Sequence, residues 1–286
     1  MPEAPRTQYN IAMIDPAPGP PAPHDAAASG PASPADHGTP TTPPSDPSAD
    51  RKLLFEITAV LCFAALPDLY VGIDAIASRT PYDDQPLDQA SSFTYLIVRS
   101  LAVCVPLLLI MSRTGLPWRH FGFVPIRPVR DLALAVPLTV GAFFLASGAA
   151  DVVVSCIGLL PVDADTLYGV TTGEGPAAVP SLLGLVGMTT AYLANSLAEE
   201  FAMRAYLCIR LLDLTGSHAI AIVGSSFVFG AYHIYGGIYH AGWAFGFGLA
   251  FAGALLFIRT IWPLVIAHTL ANLAVEAMNW WSRHQP

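Results

Sequence analysis

From Leu53 onward, stretches of about twenty or more mostly apolar residues alternate with short polar breaks. That alternation constrains the fold more than any other feature. In hydrocarbon each backbone N–H and C=O must find a partner within the protein, so such stretches have to be helices. Spans are expected at 53–77, 93–112, 132–160, 181–212, 218–236, 241–259 and 262–281. Two of them, 132–160 and 181–212, are longer than the roughly 20 residues one crossing needs, which leaves room for an eighth. The expected fold is an all-α polytopic membrane protein, a helical bundle of about seven to eight transmembrane helices.

Composition agrees. The chain of 286 residues is 53% hydrophobic, with a mean hydropathy of +0.52 and only 12% charged residues, about half the charge of a soluble protein. The net charge of −8 argues against a nucleic-acid partner, leaving the lipid bilayer as the expected surrounding. Cys62, Cys104, Cys156 and Cys208 stand singly in apolar stretches, with no CxxC pair. They indicate neither a disulfide framework nor a thiolate zinc site, and are expected as buried structural thiols.

Residues 1–50 hold 13 of the 26 prolines. That segment cannot bury enough apolar surface to offset its conformational entropy, so a disordered tail is expected. It has no basic region followed by an apolar one, so it does not read as a secretory signal. The chain then divides into N-terminal transmembrane helices at 51–178 and a C-terminal core at 179–281.

Orientation follows from arginine. Arg113, Arg119, Arg127 and Arg130 lie between the second and third spans, and Arg51 and Lys52 precede the first. The neighbouring connections are acidic, with Asp83, Asp84 and Asp88 in one and Asp163, Asp165 and Glu174 in the other. Positive charge marks the cytosolic side, which puts the N-terminus in the cytosol. Lysine occurs once while alanine, proline and arginine abound, a bias that fits a GC-rich bacterial genome and so a bacterial inner membrane.

Against this background "NSLAEEFAMRAYLCIRL" (195–211) stands out. Glu199, Glu200 and Arg204 each cost about 2.5–3.5 kcal/mol at the centre of a membrane helix. Glu200 and Arg204 are four residues apart and can pair on one face. Glu199 is turned about 100° from Glu200 and needs another partner. Seventeen residues separate Glu199 from Gly216, and seventeen separate Gly216 from His233. If "LTGSH" (214–218) is the turn of a helical hairpin, Glu199 and His233 sit at similar depth. In the last span His268 and Asn272 are one helical turn apart and share a face. Three helices can therefore direct polar groups into one interior. A carboxylate and an imidazole flanking a water can deprotonate it and later protonate a leaving amine. His268 and the Asn272 amide can donate to the oxyanion of a tetrahedral intermediate. These are the parts peptide hydrolysis requires.

The same residues resemble a known family. "EEFAMR" (199–204) matches EExxxR, "FGAYH" (229–233) matches FxxxH, and "HTLAN" (268–272) matches HxxxN. Together they are similar to the CPBP intramembrane proteases, a family that includes the type II CAAX prenyl proteases and the Abi and lysostaphin-resistance-like proteins. The resemblance spans about 180–280. It implies that Glu199 and His233 activate the water, that Glu200 and Arg204 support the site, and that His268 and Asn272 form the oxyanion hole. It also implies a membrane protein or lipidated peptide as substrate. No HExxH is present, and a metal-free mechanism without a cofactor is expected; a zinc ion would need Glu199, His233 and His268 to converge.

Two other classes compete with the protease. A non-catalytic membrane scaffold or bacteriocin-immunity-type protein would keep the ion pair for stability alone. A proton-coupled transporter would use the same groups as a relay, although no internal repeat supports it. Elsewhere, Arg99 is expected to pair with Asp68 or Asp151, and His120, His218 and His240 to be ordinary span-end histidines. Gly242, Gly246, Ala250 and Ala254 form a small-residue stripe suited to close helix packing.

Overall fold

The computed structural model describes residues 47–78, 89–157 and 181–283. Most of the expected tail and both acidic connections lie outside the described residues. The described residues contain helices and turns but no strand, as the apolar pattern requires.

Helix α1, Pro47–Ala64, begins within the last residues of the expected tail, with Pro47 in its first turn, where a missing N–H does no harm. Helix α2, Leu66–Ser78, follows at once, and the two are bent by 48°. The bend has a local cause: Pro67 cannot donate to the carbonyl one turn back, although hydrogen bonds to Leu61 O and from Leu69 N continue through Ala65 on either side. The stretch expected as one span, 53–77, is thus two helices with a break between them. Helices α3 (Gln89–Arg113) and α4 (Pro128–Ile157) flank the arginine-rich connection. Helix α5, Leu182–Glu199, runs without interruption into a π-helical segment, Glu200–Cys208, and then into α6, Ile209–Thr215. Gly216 closes α6 at φ +66°, a left-handed position natural to glycine. Ser217 caps α7, His218–Tyr232, by accepting from the Ile220 amide. The expected hairpin turn at 214–218 is therefore present. A 3-10 turn, Ile234–Gly236, leads into α8, Gly237–Ile258, and α9, Trp262–Arg283, ends the described chain.

Among the described residues, three helical stretches are long and apolar enough to cross a membrane: Ser92–Arg113, Pro128–Ile157 and Ile234–Ile258. The bent α1–α2 pair would make a fourth. The seven to eight expected are not confirmed among these residues. The reason is local: α7 has only 15 residues, and α5 and α9 carry the acids, histidine and asparagine that lower apolar content.

Helix α4 lies along α8. Ala135, Ala142, Ala146 and Ala150 of α4 are fully buried. A Cβ built on Gly246 would come within 2.6 Å of Ala149 Cβ and 2.7 Å of the Leu145 carbonyl oxygen, so the two backbones approach as closely as glycine allows. The Gly242 and Gly246 part of the small-residue stripe thus packs against a helix of the same chain. Helix α8 packs against α7 on another side, α3 against α5, and α9 against α4 and α5.

Large apolar side chains line the outside. Val98, Leu101, Val105 and Leu109 of α3 are exposed, as are Val136, Val140 and Phe144 of α4 and Phe257 of α8. Apolar faces this extensive suit lipid and not water. These are the features of an integral membrane protein. Cys62 and Cys156 are exposed, contrary to the expectation of burial, and only Cys208 is fully buried. In a bilayer the outer face is as apolar as the core, so hydrophobicity does not tell the two apart.

One end of the bundle is polar. Glu56 of α1 pairs with Arg210 at 2.9 Å, Arg210 with Asp213 at 3.0 Å, and Asp213 with His120 at 3.0 Å. This chain of charges ties α1 and α6 to the arginine-rich connection. Trp262 fastens the same connection to α9 by donating from Nε1 to the Val124 carbonyl at 2.7 Å.

Candidate active site

Glu199 is the last residue of α5 and Glu200 the first of the π segment, all nine residues of which are buried. A π-helix bonds i to i+5, which widens the turn and shifts side-chain directions relative to an α-helix; such segments are rare and concentrate at functional sites. Glu200 and Arg204 are fully buried and paired, with Arg204 Nη1 3.3 Å from Glu200 Oε1. Arg204 also stacks its guanidinium 4.0 Å from the Phe229 ring centre, with Phe251 at 5.6 Å. The charge is thereby spread over an ion pair and two aromatic faces.

His268 lies between the two glutamates. Its Nδ1 is 2.7 Å from Glu200 Oε1 and its Nε2 is 3.4 Å from Glu199 Oε2. Both acids therefore meet opposite edges of one ring, an arrangement beyond the one-acid, one-partner division expected from helical spacing. Phe247 packs on His268 with ring centres 5.0 Å apart, fixing its plane.

His233 follows the last residue of α7. Its Nδ1 is 2.7 Å from the Phe229 carbonyl oxygen. A carbonyl only accepts, so Nδ1 carries the hydrogen and Nε2 keeps its lone pair. Close approach of α8 holds this end in place: a Cβ on Gly230 would lie 2.7 Å from the Ala241 carbonyl oxygen.

Glu199, His233, His268 and Asn272 all line one cavity of about 260 Å³. The structure thus brings these four sequence-predicted residues together. Glu200 and Arg204 do not line it; they stand behind His268. Among the described residues no group of three or more His, Cys, Asp or Glu side chains is placed to hold a metal ion. Glu199, His233 and His268 share the cavity, but both nitrogens of His268 face carboxylates.

Three further polar residues of the wall escaped the sequence reading or were assigned elsewhere. His240, expected as an ordinary span-end histidine, lines the cavity with its ring centre 5.3 Å from that of His233. It gets there because the 3-10 turn after α7 folds α8 back beside His233. Asp68 and Arg99 also line the cavity and form an ion pair, so Arg99 has the first of its two expected partners, while Asp151 is exposed.

Residues 181–274 match the family model of the type II CAAX prenyl endopeptidases, Rce1-like. That segment contains EExxxR, FxxxH and HxxxN, and the match agrees with the CPBP resemblance of the motifs. No curated protein and no solved structure matches the chain. The Rce1-like segment supplies Glu199, His233, His268 and Asn272, together with Glu200 and Arg204. Asp68 and Arg99 come from helices outside it.

Proposed function

We propose that this protein is an intramembrane endopeptidase that hydrolyses a peptide bond of a membrane-associated, CAAX-like substrate, using water activated by Glu199 and His233. The observation that carries this reading is the convergence of Glu199, His233, His268 and Asn272, from three helices, on one cavity within the Rce1-like segment.

The chemistry follows from the atoms available. A water between Glu199 and His233 gives its proton to the Glu199 carboxylate while its oxygen attacks the peptide carbonyl carbon. His233 Nε2, with its lone pair, accepts the second hydrogen bond of that water and fixes the line of attack. The tetrahedral oxyanion accepts from the Asn272 amide and from His268 Nε2–H, which is released from Glu199 once that carboxylate has taken the proton of the water. The C–N bond then breaks, and the proton held by Glu199 passes to the leaving amine. The products are a new carboxylic acid, which retains the second water proton, and a free amine; that proton leaves through His233 Nε2 to give the carboxylate. Glu200 and Arg204 act through His268 and are positioning residues. The reaction is proposed to run without a metal, because both nitrogens of His268 are committed to the two glutamates. The site lies in a bacterial inner membrane in this reading, with the N-terminus in the cytosol.

A comparison of membrane peptides from cells making the wild type or Glu199→Gln tests the function and finds the substrate. Fragments present only with the wild type are expected. Identical fragment sets, with both proteins at equal abundance, would end the proposal.

A further inference from the structure

Helices α2 and α3 add a guanidinium to the cavity wall that the proposed hydrolysis does not use. Arg99 donates from Nη2 to Asp68 Oδ2 and from Nη1 to Asn195 Oδ1, the latter at 3.4 Å. Both partners line the same cavity as Glu199 and His233. Arg99 remains 23% exposed and Asp68 14%, unlike the wholly enclosed Glu200–Arg204 pair.

A purely structural role explains this pair poorly. Taking an ion pair out of water rarely stabilises more than well-packed apolar side chains of the same size would. A guanidinium has five donors in a planar fork that fits a carboxylate at two points. Asp68 engages one nitrogen, and the bond to the neutral Asn195 amide is long and weak. The fork therefore has room for a second anionic oxygen pair arriving from the cavity, where low dielectric strengthens the contact.

We propose that Arg99 is the specificity-determining anchor for a free carboxylate of the substrate, with Asp68 holding the guanidinium in place until that carboxylate arrives. The inference rests on the proposed endopeptidase reading and adds to it the residue that would read the carboxylate end of the substrate. The anchor comes from α2 and α3, which lie outside the Rce1-like segment. Selectivity would then be supplied by the N-terminal helices and bond cleavage by the C-terminal ones.

The test compares short hydrophobic peptides that differ only in ending as a free acid or as a carboxamide. Purified full-length Glu199→Gln protein in detergent is titrated with each acetylated tripeptide, so that binding is read without turnover. The acid is expected to bind at least tenfold more tightly than the amide. Adding Arg99→Gln should bring the ratio close to one, whereas Arg99→Lys should keep part of it. If Arg99→Gln alone fails to fold, because Asp68 is left unpaired, the double change Asp68→Asn, Arg99→Gln removes both charges and should give the same ratio. Equal binding of acid and amide by the starting protein overturns the proposal, as does an acid preference that survives the loss of Arg99. Displacement of the bound acid by phosphatidylglycerol would assign Arg99 to a lipid headgroup and overturn it as well. Failure of cleavage in the wild type, with the acid preference intact, would fault the endopeptidase reading and leave the anchor standing.

Discussion

Arg204 shows how a single residue can be both costly and necessary. Its guanidinium is buried against Phe229 and Phe251 and paired with Glu200. Replacing it with Met leaves Glu200 buried without its counter-charge, a loss of about 3–5 kcal/mol. Thermal unfolding in detergent should show the drop, and Glu200→Gln combined with Arg204→Met should recover much of it. Asn272 makes a different prediction. It lines the cavity one turn from His268, so Asn272→Ala should lower kcat by about 10²–10³ if it donates to the oxyanion. Unfolding temperature and KM should change little. These placements were legible because the sequence puts Glu200 and Arg204 four apart and His268 and Asn272 four apart, and helical spacing turns such intervals into shared faces. What spacing could not reveal was His268 bridging both acids, since that depends on how α9 packs against α5 and the π segment. His240 was equally hidden, because a 3-10 turn, and not a lipid–water boundary, sets its position.

Between residues and bundle, the elements that matter most are those that depart from regular α geometry. The π segment Glu200–Cys208 carries both members of the buried ion pair, and no local residue pattern announces it. Its sequence is compatible with an ordinary α-helix, so the extra residue per turn reflects the packing of all nine buried side chains. The break between α1 and α2 is legible in hindsight from Pro67. Close contact between α4 and α8 follows from glycine and alanine at helical intervals. Substituting Gly246→Val would drive a branched side chain into the α4 backbone around Leu145 and Ala146. Overpacking of this kind costs about 1–3 kcal/mol, read as a lower unfolding temperature. Gly253, with nothing within 4 Å of a built Cβ, provides the control: the same change there should have a much smaller effect.

On the scale of the whole molecule, apolar composition and an all-helical fold went together, because hydrocarbon allows few other solutions. The number of crossings did not follow from the hydropathy pattern alone. The apolar run around 53–77 breaks into two helices, α7 is too short, and helices bearing the site sacrifice apolar character to carry it. Orientation makes the prediction proper to this scale. The arginine-rich connection between α3 and α4 is expected in the cytosol. A Thr114→Cys change in a cysteine-free background should react with a membrane-impermeant thiol reagent in inside-out vesicles and not in intact spheroplasts. The reverse pattern would invert the topology and place the polar Glu56–Arg210–Asp213–His120 end on the outside.

Whether Glu199 takes the proton from the attacking water is read most directly in one kinetic comparison. Wild-type and Glu199→Gln protein, purified into the same detergent and shown to unfold at similar temperatures, are assayed on one cleavable peptide. With Glu199 as the base, kcat is expected to fall by about 10²–10⁴ in the variant while peptide affinity is largely kept. A variant that is stably folded and cleaves at the wild-type rate would contradict that role.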